Sequence, residues 1–293
     1  MQQISPPPLL SVQGVTLQYK TDDYLITATY QVSFDILKSD RYVILGASGC
    51  GKSSLLKAVG GFLNPVQGSI YLNGNPIHRP GPDRVMVFQE FDQLLPWKTV
   101  QENVVFALTA SGKLQRKEAI ERAQHYINKV NLSEFAHSLP HTLSGGMKQR
   151  AAIARGMAME PDILLMDEPF AALDALTRGV IQDELLKICH ETKQTVFMIT
   201  HDVDEAILLS DRIMLMSNGP NARIAEIVIN TLPKNRQRAT LHHEPMYYPV
   251  RNHLVDFLVN RSKKLQAQND HKTSLAGYEP LIVMPGQEST LIN

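Results

Sequence analysis

Two kinds of hydrophobic pattern divide this chain. From residue 9 to about 34, stretches such as LLSVQGVTLQY alternate apolar and polar positions, which predicts antiparallel strands at the edge of a sheet. Further along, short unbroken apolar runs are typical of strands buried on both faces, as in a parallel sheet covered by helices. These runs are YVIL (42–45), VMVF (85–88), ILLM (163–166) and TVFMIT (195–200). A buried helix is the alternative for any one run, but each run is short for a helix.

Helical spacing fills the intervals between these runs. The predicted helices are 53–60, 115–130, 146–158, 175–191, 203–209 and, near the end, 250–261. Strand–helix alternation of this kind indicates an α/β fold. Because residues 91–142 have helical spacing and no strand run, we expect a helical subdomain, about 91–160, inserted in the core. We expect one domain over 9–260 and a loosely ordered tail over 261–293.

Composition narrows the class of protein. Hydrophobic residues make up 43% of the chain and charged residues 20%, as in ordinary globular proteins. The 29 basic and 29 acidic residues cancel, which gives no support to a nucleic-acid partner. The two cysteines lack metal-ligand spacing, and the N-terminus MQQISPPPLL lacks the pattern of a signal peptide. No apolar run approaches the roughly 20 residues that cross a bilayer, so we expect a cytoplasmic protein that reaches a membrane through a partner.

The first candidate site is a glycine-rich stretch between the run YVIL and a predicted helix. Residues 46–53, GASGCGKS, fit the P-loop pattern G-x-x-x-x-G-K-[ST], whose backbone N–H groups point at phosphate oxygens. Lys52 would supply charge to the β- and γ-phosphates, and the Ser53 hydroxyl could ligate Mg²⁺. The predicted ATP-binding residues here are Gly46, Ala47, Ser48, Gly49, Cys50, Gly51, Lys52, Ser53 and Ser54.

Polar and acidic side chains follow three other predicted strands. Asp167 ends a buried run and would hold Mg²⁺ through water, while Glu168 is placed to deprotonate the water that attacks the γ-phosphate. Gln89 follows VMVF and could reach the metal; His201 follows TVFMIT and could reach the γ-phosphate. An open α/β sheet forms its ligand crevice at the carboxyl ends of its strands, which is where these residues fall. A lone histidine there is also a common structural residue.

A second glycine-rich stretch opens another predicted helix. In LSGGM, Ser144, Gly145 and Gly146 offer a hydroxyl and backbone donors at a helix N-terminus, an arrangement that binds anions. One nucleotide is already provided for by the residues above, so we interpret this stretch as serving the nucleotide of another copy. Two copies packed head to tail would place each LSGG over the γ-phosphate held by the opposite P-loop.

The order of these motifs resembles the ATP-binding subunits of ABC transporters. The motifs are the P-loop (46–53), Gln89, LSGGM (143–147), ILLMDEP (163–169), ALD (172–174) and His201. The resemblance covers roughly residues 9–260 and implies a P-loop NTPase (RecA-like) core with an antiparallel β edge and an inserted α-helical subdomain. It also implies Mg²⁺-dependent ATP hydrolysis and a head-to-tail dimer with an identical or related ATPase subunit.

Two further residue roles follow from the resemblance alone. Tyr19 is similar to the aromatic residue that stacks on adenine, although Tyr24 and Tyr30 lie in the same stretch. Asp174 is similar to the residue that signals across the dimer interface. The chain departs from the family in Met147, where the signature usually has Gln, and in Ser54, where Thr is common. Neither departure removes a catalytic group, so hydrolysis is expected.

Within the family, residues 81–104 are similar to the importer subgroup for nitrate, taurine, aliphatic sulfonates and bicarbonate. The stretches SNGPNARIAEIVIN and EPMYYPVRNHLVDFL are more similar to its nitrate/bicarbonate branch. The resemblance implies a peripheral protein at the cytoplasmic face of the inner membrane. Its partners would be an integral membrane permease and a periplasmic or lipoprotein solute-binding protein. Nitrate is the expected anion; taurine or another sulfonate, and bicarbonate, are alternatives.

The apolar element LLPW (94–97) has two interpretations. It either packs in the core of the helical subdomain or forms part of a groove for a permease helix.

An alternative function, of another class, is that of an ABC ATPase without a permease, as in DNA repair or translation. Those proteins commonly carry two ATPase units or a long coiled coil, and this sequence has neither pattern.

Overall fold

The computed structural model of the protein describes residues 6–20, 24–90, 93–262 and 280–286. The strands within these residues are β1 (Leu10–Lys20), β2 (Leu25–Ile36), β3 (Arg41–Leu45), β4 (Gln67–Leu72), β5 (Asn75–Pro76), β6 (Arg84–Val87), β7 (Ile163–Asp167), β8 (Thr195–Ile199), β9 (Arg212–Met216), β10 (Ile224–Ile229) and β11 (Leu281–Val283). The α-helices are α1 (Lys52–Val59), α2 (Val100–Ala110), α3 (Arg116–Lys129), α4 (Gly145–Ala158), α5 (Ala175–Thr192), α6 (Val203–Leu209) and α7 (Tyr247–Asp256).

The described residues form two compact units. The first contains those up to Pro80 and from Phe197 onward, and the second is Gly81–Val196. In the first unit, one sheet has the strand order β2-β1-β4-β5, with β1 antiparallel to both β2 and β4. The predicted strands of residues 9–34 are antiparallel as expected, but they belong to a sheet of their own, which also contains β4 and β5. Buried and exposed positions alternate over residues 31–36 of β2, as in a strand with one solvated face, whereas residues 15–17 of β1 are all buried.

A second set of strands in the first unit has the order β11-β10-β9-β3-β8. Strand β3 is parallel to β9, β9 is antiparallel to β10, and β10 is parallel to β11. Every residue of β3 is buried, which explains its unbroken apolar run. The rings of Phe34, Tyr42 and Phe197 pack together with centroids 5.5 to 6.1 Å apart.

The second unit contains the parallel pair β6–β7 and the helices α2 to α5. Helix α2 begins with a capping box: Thr99 accepts from the N–H of Glu102, and the Glu102 carboxylate accepts from the N–H of Thr99. Helices α2, α3 and α4 pack against one another. They occupy the part of the sequence for which a helical subdomain was predicted.

The tail differs from expectation where the structure describes it. Strand β11 lies within the segment that we expected to be loosely ordered, and it pairs in parallel with Glu226–Val228 of β10. Gly286 follows with φ +83° and approaches Met246 so closely that a side chain would collide. Strand β11 is only three residues long, and the edge of β10 supplies its backbone hydrogen-bond partners. Residues 263–279 and 287–293 lie outside the described part of the chain.

Candidate active site

In the first unit, the P-loop curls around its own lysine. Strand β3 ends at Leu45 and α1 begins at Lys52, whose side chain is buried. The Lys52 ammonium group donates hydrogen bonds to the backbone carbonyl oxygens of Gly46 at 2.9 Å and Ala47 at 2.8 Å. The loop thus holds a positive charge within its own curl, beside the exposed residues 47–49. That arrangement suits a group that must meet phosphate oxygens.

Gly51 gives this loop its shape. Its φ is +91°, and a Cβ atom there would lie 2.8 Å from Thr29 Cγ2 and 3.1 Å from the Ala28 carbonyl oxygen. Gly51 precedes α1 and has no side chain with which to cap it. The start of a helix without a side-chain cap is a favourable place for an anion. Cys50 is fully buried, and burial raises the pKa of its thiol.

His201 and the three tyrosines also belong to the first unit. His201 is exposed between β8 and α6, next to Asp202, which caps α6 by accepting from the N–H groups of Asp204 and Glu205. Tyr19 is 37% exposed and Tyr24 is 74% exposed. The guanidinium carbon of Arg223 lies over the ring of Tyr30, 4.6 Å from the ring centroid. The assignment of Tyr19 to adenine stays a prediction, and Tyr24 is the more exposed of the two.

In the second unit, the structure brings Gln89 and Glu168 together. Asp167 is the buried last residue of β7, and Glu168 follows it. The Gln89 side-chain nitrogen donates to Glu168 Oε2 at 3.2 Å. Glu168 has a φ of +46°, a conformation uncommon outside glycine and asparagine and frequent at functional sites. Two residues predicted separately from strand ends therefore form one contact at the end of the β6–β7 pair.

The glycine-rich segment LSGG starts α4 as predicted. Exposed Ser144 is the N-cap, and its hydroxyl accepts from the N–H of Met147 at 3.3 Å. The small residues Ala151, Ala154 and Ala158 are buried along the helix, and Met147 is half-buried near its start. This short apolar stripe holds α4 in the unit, while Ser144 at its start is exposed and residues 145–148 are half-buried.

Asp174 caps the next helix, α5. Its exposed carboxylate accepts from the N–H of Thr177 at 3.0 Å and of Leu176 at 3.1 Å. These hydrogen bonds, that from Thr177 first, hold the pKa of the Asp174 carboxyl below its usual value. The structure thus gives Asp174 a local structural role, and the interface role implied by the resemblance stays a prediction.

Three polar residues that the sequence analysis did not single out surround the backbone next to Gln89. Gln93 donates to the Phe88 carbonyl at 2.8 Å and accepts from the Phe88 N–H at 3.1 Å. Gln149 of α4 donates to the same carbonyl at 3.1 Å, and Arg155 of α4 donates to the Gln93 carbonyl at 2.8 Å. The available signal was weak: a glutamine among small apolar residues on one helix.

The element LLPW divides between its two interpretations. Leu94 is buried, whereas Trp97 is 71% exposed. The turn between them is held by buried Asn103, which accepts from the Leu95 N–H at 2.8 Å and donates to the Lys98 carbonyl at 3.0 Å. Part of the element therefore packs in the core, and part presents a large aromatic ring on a rigid turn.

The residues predicted to bind Mg²⁺ have suitable donor atoms. The hydroxyl of Ser53, the carboxylate of Asp167 and the amide oxygen of Gln89 are hard oxygen ligands, which Mg²⁺ prefers. Magnesium commonly uses one or two protein carboxylates and completes its shell with substrate phosphates and water. A set with one carboxylate and two neutral oxygens fits that coordination.

Among the residues that the structure describes, none of the helices combines the length and the apolar character needed to cross a bilayer.

Comparison with known proteins identifies similar sequences and structures. Residues 29–171 match the family model described as ABC transporter. The chain is 44% identical to the bicarbonate transport ATP-binding protein CmpD of Synechococcus elongatus, over 87% of this chain and 91% of that protein. It is 44% identical to the nitrate import ATP-binding protein NrtD of the same organism, over 80% of this chain and 85% of that one. It is 43% identical to the nitrate transport protein NasD of Klebsiella oxytoca, over 88% and 98%.

A solved structure supports the same grouping. The fold matches a dimeric bacterial ABC transporter cassette, MJ0796, with a TM-score of 0.69 and 31% sequence identity over 75% of this chain and 98% of that one. A second solved dimer of that cassette, described as a post-hydrolysis state bound to ADP and phosphate, matches with a TM-score of 0.68.

Proposed function

This chain belongs to the ABC transporter family, and we propose that it is the ATP-hydrolysing subunit of an importer for a small inorganic anion, with nitrate as the first candidate. The observation that carries the enzymatic part is the contact of Gln89 with Glu168, directly after buried Asp167. A carboxylate held by a neutral amide, at the end of a buried strand, suits a base that takes a proton from water.

The chemistry assigned to this chain is phosphoryl transfer to water. The P-loop N–H groups and Lys52 hold the phosphates, and His201 contacts the γ-phosphate. Glu168 accepts the proton of the attacking water as the new bond to the γ-phosphorus forms and the bond to ADP breaks. Gln89 orients the Glu168 carboxylate through its amide N–H. Magnesium, when bound by Ser53, Asp167 and Gln89, supplies charge that offsets the phosphate oxygens.

The proposed assembly is a head-to-tail dimer in which LSGG completes the site of the other copy. Ser144 is exposed, and a Cβ on Gly146 would meet the Leu173 side chain at 3.3 Å and the Ala172 carbonyl at 3.8 Å. The solved structures of a similar cassette are described as dimeric, which supports a dimer for this chain. An integral membrane permease and a solute-binding protein would complete the system, with this chain on the cytoplasmic face of the membrane and Trp97 presented to the permease.

The anion is inferred from the relatives. Nitrate transport is named for NrtD and NasD, and bicarbonate transport for CmpD, at nearly the same identity. Nitrate keeps first place from the sequence resemblance, and bicarbonate is the second candidate. A single family of ATPase subunits can serve both, because this subunit is expected to move the permease and not to contact the solute.

The enzymatic assignment is tested by Glu168→Gln. Glutamine keeps the shape of the side chain but cannot accept the proton, so hydrolysis should fall about a thousandfold while ATP binding persists. In the presence of ATP, the variant protein should then accumulate as a closed dimer, which light scattering measures. The control is Glu90→Gln, which neutralises an exposed carboxylate next to Gln89 and should leave hydrolysis unchanged. Wild-type turnover in Glu168→Gln would contradict the role of this residue.

The anion is tested by uptake of labelled nitrate, bicarbonate and taurine into cells with and without this chain. Loss of nitrate uptake alone, restored by the wild type and not by Glu168→Gln, supports the proposal. Loss of bicarbonate uptake alone selects the second candidate, and loss of taurine uptake moves the protein to the sulfonate branch. No change in any of them would contradict the transport assignment and leave ATP hydrolysis standing.

A further inference from the structure

We propose that Gln93 and Gln149 are positioning residues that couple the two ATP sites of the dimer. They join the helix that carries the LSGG segment to the backbone that carries Gln89, and through Gln89 to Glu168. This inference rests on the proposed head-to-tail dimer and adds to it a route by which one site senses the other.

The first half of the route is the contact of Gln149 with Phe88. Gln149 lies on α4, five positions after Ser144, and only 1% of its surface is exposed. Its amide nitrogen donates to the Phe88 carbonyl oxygen at 3.1 Å, and its amide oxygen accepts from Gln93 Nε2 at 3.3 Å. A buried amide with fixed partners transmits a displacement of its helix, because losing either partner leaves a polar group unsatisfied.

The second half is a clamp formed by Gln93. Its side chain pairs with both backbone groups of Phe88 and also donates to the Glu90 carbonyl at 2.9 Å, so it holds the residues on either side of Gln89. The backbone carbonyl of Gln93 is in turn held by Arg155 of α4 at 2.8 Å. Helix α4 is therefore hydrogen-bonded to this segment at two places, through Gln149 and through Arg155.

The route ends at the base. Gln89 is covalently joined to Phe88 and Glu90, the two residues that Gln93 holds, and its amide contacts Glu168 at 3.2 Å. A shift of α4 when Ser144 and its glycines meet the partner's γ-phosphate would move Phe88 and change how Gln89 orients Glu168 in the same chain's site. The phosphate bound by one copy thereby changes the orientation of Glu168 in the site of the other copy.

The test measures the rate of ATP hydrolysis by the purified full-length chain against ATP concentration, for the wild type, Gln149→Leu, Gln93→Ala and the double variant. The matched control is Gln182→Leu, which removes a glutamine of α5 that is 3% exposed and outside the route. Thermal unfolding of each variant separates loss of fold from loss of coupling.

The expected result is a loss of cooperativity. With two coupled sites, the Hill coefficient has an upper limit of about 2, and we expect the wild type to lie near it. In Gln149→Leu the coefficient should fall to about 1, with kcat lowered about tenfold. The double variant should lose little more than the stronger single variant, because both residues act on one path. Gln182→Leu should keep the wild-type Hill coefficient.

Two outcomes would overturn the inference while leaving the ATPase assignment intact. One is a Hill coefficient that is unchanged in both single variants, or equally lowered in Gln182→Leu. The other is a wild type that hydrolyses ATP without cooperativity. Absence of hydrolysis by the wild type would instead refute the proposed function itself.

Discussion

The P-loop and the LSGG segment both place backbone N–H groups at the start of a helix, but the chain supports them differently. In the P-loop, Lys52 is buried and bonded to the loop's own carbonyls, and Gly51 occupies a left-handed conformation where a side chain would collide with Thr29. In LSGG, Ser144 is exposed, and a Cβ on Gly146 would meet the movable end of Leu173 at 3.3 Å and the Ala172 carbonyl at 3.8 Å.

This difference suggests what each glycine serves. Gly51 is required by the fold of its own chain, whereas the fold makes little demand for a glycine at position 146. A residue that its own chain leaves unconstrained can be reserved for the close approach of another molecule. The P-loop is thus shaped by its own chain, and the weaker constraint on LSGG supports the proposal that an opposing copy completes the site at LSGG.

The largest expected effect is that of Lys52→Ala on the P-loop side. Losing the charge beside the phosphates should lower hydrolysis about a thousandfold, the loss seen when an enzyme loses a key electrostatic group. The Gly46 and Ala47 carbonyls also lose their donor, so the free energy of unfolding should fall by about 1–3 kcal/mol. Hydrolysis assays and denaturant unfolding measure the two effects. Lys57→Ala, at an exposed position of the same helix, is the control and should change neither.

The next effect compares the two glycines directly. Gly51→Ala forces a side chain into a left-handed conformation and should lower the free energy of unfolding by about 1–3 kcal/mol. Gly146→Ala should change it by less than about 0.5 kcal/mol, yet reduce hydrolysis about a hundredfold because the methyl group stands where the partner's phosphate must approach. Retained activity in a folded Gly146→Ala protein would remove the basis for the comparison.

A smaller effect is expected at the cap of the LSGG helix. Ser144→Ala removes the acceptor for the Met147 N–H and should cost about 1 kcal/mol of stability. Ser144→Asp restores a cap but adds negative charge facing a phosphate, so it should recover stability and not the ATP-dependent dimer. Denaturant unfolding and light scattering with ATP follow the two properties. Recovery of the dimer in the aspartate variant would argue against phosphate contact at this position.

The smallest effect concerns a third helix start, that of α5, whose cap titrates. The hydrogen bonds from Thr177 and Leu176 lower the pKa of Asp174, so its cap stabilises the protein fully above the ordinary value of 3.8 and loses that contribution as the pH falls through the lowered pKa. The Ser144 cap does not titrate, so α4 should show no such step. An NMR titration of Asp174 measures the shift. Asp174→Asn keeps an acceptor and should abolish the step.

The sequence determined the parts whose cause is local. Strands β3, β6, β7 and β8 were predicted to within about two residues because a strand buried on both faces needs an unbroken apolar run. The same criterion should have found β9 in RIMLM, and this run was overlooked. Strand β10 was harder, because Glu226 interrupts it; that buried carboxylate accepts from Arg261 and lies 2.7 Å from His253 Nε2.

The candidate site divides along the same line. The P-loop, the Asp167–Glu168 pair and the start of α4 follow from residue types at adjacent positions, so the sequence was enough to predict them. The bond between Gln149 and Phe88 joins residues 61 positions apart, and β11 takes its backbone partners from β10 more than 50 residues earlier. No periodicity encodes such pairings, because they depend on where the folded chain places each amide and each strand edge. Tertiary structure alone decided them.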